Sequence, residues 1–187
     1  PGEIHVWRIA LHLCVEPSAK VLSPAEKTRA GRFVPVHARR QFVSARTGLR
    51  RILARYTGLE PAEVTFETSE RGKPRFPAAS PYAGLAFNLS HAGSWALVAV
   101  RAQYAVGVDV EETDLRHEPR KLASRFFSPG EAEWVCASKS DGVLLDRFFR
   151  IWTRKEAVVK ALGLGITAPL EAFSTLPAEA EALETRL

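Results

Sequence analysis

Residues 23–26 read SPAE, and 105 positions further on residues 128–131 read SPGE. In both, a serine stands before a proline and three residues ahead of a glutamate. That is the pattern of a helix start. Serine serves as N-cap, proline takes the first helical position where its missing N–H costs nothing, and glutamate reaches back to close a capping box. Behind the first comes RRQFVSARTGLRRILARYTG (39–58), with Phe42, Ala45, Leu49, Ile52, Leu53 and Tyr56 at helical spacing. Behind the second comes DRFFRIWTRKEAVVKALG (146–163), with Phe148, Ile151, Trp152, Val159 and Leu162 likewise, and Phe42 and Phe148 lie 106 apart. Ahead of each box lies an alternating, strand-like stretch, IHVWRIAL (4–11) and YAVGVDVE (104–111). The chain therefore reads as one α/β unit used twice, residues 1–103 and 104–187, with the joint near Gln103. In the first half two more strands are expected, EVTFET (63–68) and LAFNLSHAGSWALVAV (85–100), the latter broken in two by the HAGS turn. The second half has room only for LEAFSTL (170–176) before an acidic, Ala-rich tail.

The bulk numbers bound the class. With 187 residues, 46% of them hydrophobic, the chain can bury a substantial core. No apolar run approaches the ~18 residues that span a bilayer, and the N-terminal stretch carries polar residues where a secretion signal is apolar, so a cytoplasmic protein is expected. Cys14 and Cys136 stand far apart without a second Cys or His at ligand spacing and read as buried thiols. The absence of Met and the initial Pro suggest ends lying beyond the sequence seen. An excess of 26 Lys and Arg over 21 Asp and Glu suits a nucleic acid, an anionic cofactor or an acidic partner, and composition does not choose among them. The arginines between 29 and 55 interleave with an amphipathic stripe and read as its solvated face. Aromatic residues do not alternate with them as in single-strand binders, which argues against nucleic acid.

Four groups carry chemistry. In GVDVEETD (107–114), a strand would place Gly107, Asp109 and Glu111 on one side and Val106, Val108 and Val110 on the other. Two carboxylates beside a small residue leave a shallow space suited to a hard cation such as magnesium, although a solvated strand end is the plainer reading of such a pair alone. On the second long helix Lys155 falls in the middle of the apolar stripe, where a lysine is costly unless it meets an anion or snorkels. Glu156 and Lys160, four apart on its margin, are either a surface pair or groups facing a site. SERGKPRF (69–76) is a turn whose backbone can approach an anion while Arg71 and Lys73 supply charge, and it lacks the spacing of a P-loop. FNLSHAGSW (87–95) brings Ser90 and His91 to a strand end, where an imidazole can donate to a phosphate. With no G-x-S-x-G elbow, a serine hydrolase is disfavoured.

Taken in order, SPAEKTRAGRF, RRQFVSARTGLR, RGKPRF, FNLSHAGSWALVAV, GVDVE, RFFSPGE and FRIWTRKEAVVKALGLG closely resemble the 4′-phosphopantetheinyl transferases of the surfactin-synthetase-activating type, over about residues 23–173. That family pairs G-[IV]-D-[IV]-E with F-x-x-W-[ST]-x-K-E-[AS]-x-x-K, and both patterns are met here. The resemblance implies a pseudo-dimer of two α/β halves, each with an antiparallel-rich sheet packed on a long helix, and a site in the cleft between them. It implies a monomer that moves the phosphopantetheine arm of coenzyme A to a serine of an acyl or peptidyl carrier protein and releases adenosine 3′,5′-bisphosphate. Fatty-acid, polyketide and nonribosomal-peptide carriers are the candidate partners.

By position, the resemblance makes Asp109, Glu111 and Glu156 the magnesium ligands. Lys160 would hold the pyrophosphate, and Lys155 would lie near the reacting phosphate. Arg71, Lys73, Ser90 and His91 would hold the nucleotide's phosphates, Arg29 would reach the 3′-phosphate, and Glu156, directly or through water, would take the serine proton. A non-catalytic coenzyme A binder of the same fold is the rival, and loss of one of Asp109, Glu111, Glu156 or Lys160 would have marked it. The family continues into further strands after the L-x-x-F segment, so the second half is expected to be shortened or closed differently.

Overall fold

A computed structural model describes residues 2–11, 19–68, 73–114, 118–165 and 168–176. Three strands, β1 (Ile4–Ala10), β4 (Leu85–Ala92) and β5 (Trp95–Ala102), form an antiparallel sheet in the order β1-β5-β4. A two-stranded ribbon joins β2 (Glu67–Thr68) to β3 (Pro74–Arg75). Five helices complete the described chain: α1 (Pro24–Gly31), α2 (Val36–Thr57), α3 (Pro119–Phe126), α4 (Pro129–Cys136) and α5 (Asp141–Leu162). None is long and apolar enough to cross a membrane.

The expected helix starts are present. Ser23 Oγ accepts from the Glu26 N–H at 3.2 Å while Glu26 Oε2 accepts from the Ser23 N–H at 3.0 Å, and Ser128 and Glu131 make the same box at α4. Helices α1 and α4 have eight residues each and α2 and α5 have 22 each, and the second pair begins and ends 105 residues after the first. Both long helices stop at a glycine in the left-handed region, Gly58 (φ 71°) and Gly163 (φ 66°), where a side chain would be strained. The helices thus repeat at the spacing of the capping boxes and not at that of Phe42 and Phe148.

Helix α2 buries Phe42, Ala45, Leu49, Ile52 and Leu53 as its periodicity requires, and Leu49, Leu53, Val64, Phe76, Phe87, Val98 and Val100 form the core of the first half. A second core gathers Ala123, Val135, Leu144, Phe148 and Ile151 from α3, α4 and α5 with Phe127 just past α3, and Phe148 stacks on both Phe127 and Trp152. Leu162 is exposed, so the apolar stripe of α5 ends a turn before the helix does.

Several expectations need correction. Two arginines assigned to a solvated face turn inward: Arg50 is 3% exposed and its Nε donates to Glu26 Oε2 at 2.7 Å, while Arg46 is half-buried with its Nε 3.6 Å from Glu26 Oε1. The buried capping-box glutamate supplies the charge that brings them in. Cys136 is half-buried, not buried, with its Sγ near the Arg120 carbonyl, and Cys14 lies outside the described residues. The hairpin at HAGS forms, closing on Gly93–Ser94, but EVTFET contributes only the two residues of β2. The stretch 104–111 joins no sheet, because its neighbours leave no room for a ladder: the Val108 N–H is taken by the buried Asn88 side chain at 2.9 Å, and Gly107 lies against the backbone of α5. LEAFSTL likewise forms a 3₁₀ turn (Leu170–Ala172) and an irregular segment, its carbonyls and N–H groups engaged by buried side chains of α4 and α5. Among the described residues, the sheet therefore belongs to the first half and the second half is helical.

Candidate active site

The site forms where α5 crosses the segment that follows β5. A Cβ built on Gly107 would fall 1.9 Å from the Ala157 carbonyl oxygen and 2.5 Å from the Ala161 nitrogen. Only glycine permits this approach. The shallow space expected beside Gly107 is thus filled by helix backbone. The consequence is that Glu156 and Lys160, each one residue before these contacts on α5, come close to Asp109, two residues along from Gly107.

There Lys160 Nζ donates to Asp109 Oδ1 at 2.5 Å and to Ser90 Oγ at 3.0 Å, and Ser90 Oγ donates to the same Asp109 oxygen at 2.8 Å. The Asp109 side chain is 1% exposed, and its second oxygen, Oδ2, is buried without a hydrogen-bond partner. A buried carboxylate oxygen left unpaired is costly, which marks it as a place for a further positive group. Glu156 is half-buried. Burial raises its carboxyl above the ordinary value, and Asp109 adds to this against the opposing pull of Lys160. His91, at the end of β4, has its imidazole held low by partial loss of water and by the cations of Lys160 and Arg46. Asn88 and Ser90 alternate on one face of β4, so a single strand ties the Val108 backbone and the Asp109 carboxylate into register with the sheet. Gln41 Nε2 of α2 donates to the Gly93 carbonyl at 2.7 Å, pinning the hairpin tip, and the Glu112 side chain packs against Gly93.

The other expected residues fall elsewhere. Glu111 is exposed, two residues past Asp109. Arg29 lies at a cavity of about 680 Å³ with Ala25, Thr28, Arg32 and Phe33, its guanidinium 5.3 Å from the centre of the Phe42 ring. Lys73 donates to the Val106 carbonyl at 3.0 Å and the Ala161 carbonyl at 2.9 Å, fastening β3 to the joint and to the end of α5, and burial lowers its pKa. Arg71 lies outside the described residues. Lys155 is corrected outright: it is fully buried and paired with Glu131 at 2.7 Å in the second core, so its ammonium does not face Asp109.

Arg46 escaped the sequence reading. It lies close enough to Arg29 on one side and His91 on the other for their charges to act on one another, so Arg29, Arg46, His91 and Lys160 form a basic row from α1 to the Asp109 cluster. Its helical position, four residues after Phe42 and four before Arg50, hid it among arginines that looked alike. Among the described residues, no three His, Cys, Asp or Glu side chains form a preformed metal cage.

Comparison with known proteins settles the family. Residues 12–103 match the family model described as 4′-phosphopantetheinyl transferase, N-terminal, and residues 105–187 match that of the 4′-phosphopantetheinyl transferase superfamily. The HetI 4′-phosphopantetheinyl transferase of Nostoc sp. strain PCC 7120 is 40% identical over 188 aligned residues, covering 98% of this chain and 78% of the relative. The chain belongs to the 4′-phosphopantetheinyl transferase family. The Sfp 4′-phosphopantetheinyl transferase of Bacillus subtilis strain 168 is 30% identical over 153 residues, 82% of this chain and 65% of its own length. The human L-aminoadipate-semialdehyde dehydrogenase-phosphopantetheinyl transferase is 27% identical over 161 residues, 82% of this chain and 52% of its own length. The chain therefore spans between about half and about four-fifths of the length of these relatives.

Proposed function

We propose that this member of the family transfers the phosphopantetheine arm of coenzyme A to a serine of an acyl or peptidyl carrier protein, releasing adenosine 3′,5′-bisphosphate, as do transferases of the surfactin-synthetase-activating type. The cluster of Lys160, Asp109 and Ser90, drawn from both halves of the chain and flanked by Glu156, carries the reading. The two halves, 1–103 and 104–187, are read as a monomeric pseudo-dimer. The helices repeated at 105 residues and the two family matches on either side of residue 104 support this. A cytoplasmic location fits a coenzyme A substrate.

The donor set fits magnesium: three carboxylates, one with a buried unpaired oxygen, are the hard ligands it takes. Asp109, Glu111 and Glu156 would hold it. Bound there, it would neutralise pyrophosphate charge as a Lewis acid. The chain's own groups do the rest. Lys160 lies 30% exposed beside Asp109 and places an ammonium against the pyrophosphate, while His91 offers an N–H donor to the same anion. Arg29 and Arg46 line the basic row along which the nucleotide's phosphates lie, and Lys73 holds the end of α5 in place for them. As the serine oxygen of the carrier attacks the β-phosphorus, its proton passes to Glu156, whose burial makes it a stronger base than a surface carboxylate. The bond to the α-β bridging oxygen breaks, and the leaving phosphate departs with the nucleotide.

Intact-mass spectrometry of apo carrier proteins incubated with this protein, coenzyme A and Mg²⁺ tests the reading, with gain of one phosphopantetheine arm expected. No gain on any of several fatty-acid, polyketide and peptide-synthetase carriers, with coenzyme A still bound in calorimetry, would replace it with a non-catalytic binder.

A further inference from the structure

We infer that Lys155 is a positioning residue that never touches coenzyme A: its buried pair with Glu131 locks the rotation of α5 so that Glu156 and Lys160 face Asp109. An ammonium has three protons, and all three are placed here. They go to Glu131 Oε2 at 2.7 Å, the Leu170 carbonyl at 2.7 Å and the Phe173 carbonyl at 2.5 Å, with the Phe173 ring 4.4 Å away. At 0% exposure no donor and no surface remain for a phosphate.

Glu131 is engaged as fully. Its Oε2 also accepts from the Ser128 N–H and hydroxyl, and its Oε1 accepts from the Thr175 N–H at 2.7 Å and hydroxyl at 2.9 Å. One ionic node thus joins the N-terminus of α4, the middle of α5 and residues 170–175. On a helix, Glu156 lies about 100° round from Lys155 and Lys160 about 140° round, so the latter two share a face that points away from the node. Turning Lys155 toward a phosphate would carry both away from Asp109.

The first half shows that the device is architectural. Its capping-box glutamate, Glu26, binds Arg50 Nε at 2.7 Å, and Arg50 Nη1 donates to the carbonyls of Val64 at 2.7 Å and Pro61 at 3.2 Å. Glu26 and Arg50 stand 105 residues before Glu131 and Lys155. There the next residue is Arg51, not an acid, so an equivalent cation on the equivalent carboxylate serves where no site carboxylate follows it.

The kinetic arm of the test rests on the proposed transfer, and the thermal arm does not. Lys155→Met, Glu131→Gln and the double variant are compared with the parent in melting temperature, coenzyme A affinity by calorimetry, and kcat and KM on a carrier. Each single change is expected to lower the melting temperature by roughly 10 °C. Each should lower kcat about 10- to 100-fold with coenzyme A affinity within about threefold, and the double variant should be no worse than either single. Lys155→Arg, carrying the residue the first half uses, should keep most of both and decides the matter if the others fail to fold. A Glu131→Gln variant with unchanged kcat beside a Lys155→Met variant that loses coenzyme A binding and melts normally would overturn the inference. So would a Lys155→Arg variant that melts normally and binds coenzyme A tenfold more weakly. If the parent protein modifies no carrier, the proposed function fails, while thermal coupling between Glu131 and Lys155 still tests the lock and its absence refutes it.

Discussion

The two long helices, α2 and α5, have the same length, the same kind of glycine stop and a buried cation, Arg50 or Lys155, on the glutamate of a neighbouring short helix. They differ in the side chains they carry beside the segments that precede them. Where α5 carries Glu156 and Lys160, α2 carries Arg51 and Arg55. Where the chain passes α5 with Gly107 and Asp109, the corresponding positions ahead of α2 are Gly2 and Ile4, and Ile4 is exposed. One framework thus occurs twice, and acid-base groups are built on only one copy. The framework supplies orientation, and in the proposed reading the difference at these three positions supplies the chemistry.

The sharpest way to break that comparison is to alter the same helical position in both copies. Glu156→Gln removes the proposed base while keeping shape, and transfer to a carrier should fall about 10²- to 10⁴-fold with little change in melting. Arg51→Gln, at the equivalent place, should leave steady-state rates within about twofold. Equal losses from the two changes would mean that the site is not confined to the second copy.

A smaller effect separates the two glycines. Gly107→Ala drives a methyl group into the backbone of α5, which cannot give way as a flexible side chain can. It should cost about 3 kcal/mol and, by shifting Glu156 and Lys160 from Asp109, about 10²-fold in rate. Gly2→Ala meets nothing within 4 Å and should be silent in both measurements. If Gly107→Ala melts and turns over normally, the close crossing of α5 over Gly107 is wrong.

What the sequence made legible follows from the same contrast. Capping boxes and helical periodicity are local signals, so both helix pairs and the Gly93–Ser94 hairpin could be read from spacing alone. Asp109, Glu156 and Lys160 could be nominated because motif and stripe margin agreed. The contacts that decide the rest span long separations. Gly107 reads as an open space until Ala157 and Ala161 fill it, and residues 104–111 alternate like a strand although Asn88 and α5 occupy the places a ladder would need. Lys155 reads as expensive in an apolar stripe, and the anion that balances it, Glu131, stands 24 residues away. Arg46 and Arg50 look like a solvated face because the carboxylate that draws them inward, Glu26, stands 20 and 24 residues away.

The pH dependence of stability offers the finest test of the second copy's buried node. Burial pushes the Glu131 carboxyl upward, but hydrogen bonds from Lys155, Thr175 and Ser128 outweigh it, and the net shift is below the ordinary value of 4.5. A carboxyl whose folded pKa is depressed contributes stability that is present above its unfolded pKa. That contribution is lost as pH falls through the folded one. Glu131→Gln should therefore be less stable than the parent by about 2–3 kcal/mol at neutral pH. The gap should hold down to about pH 5 and narrow progressively below pH 4.5 as the parent's own carboxyl is protonated. Urea unfolding of both proteins between pH 7 and pH 3 measures that gap directly. A gap that stays constant, or widens with acid, would show that Glu131 is not ionised in the folded protein, and the helices would then be held by packing alone.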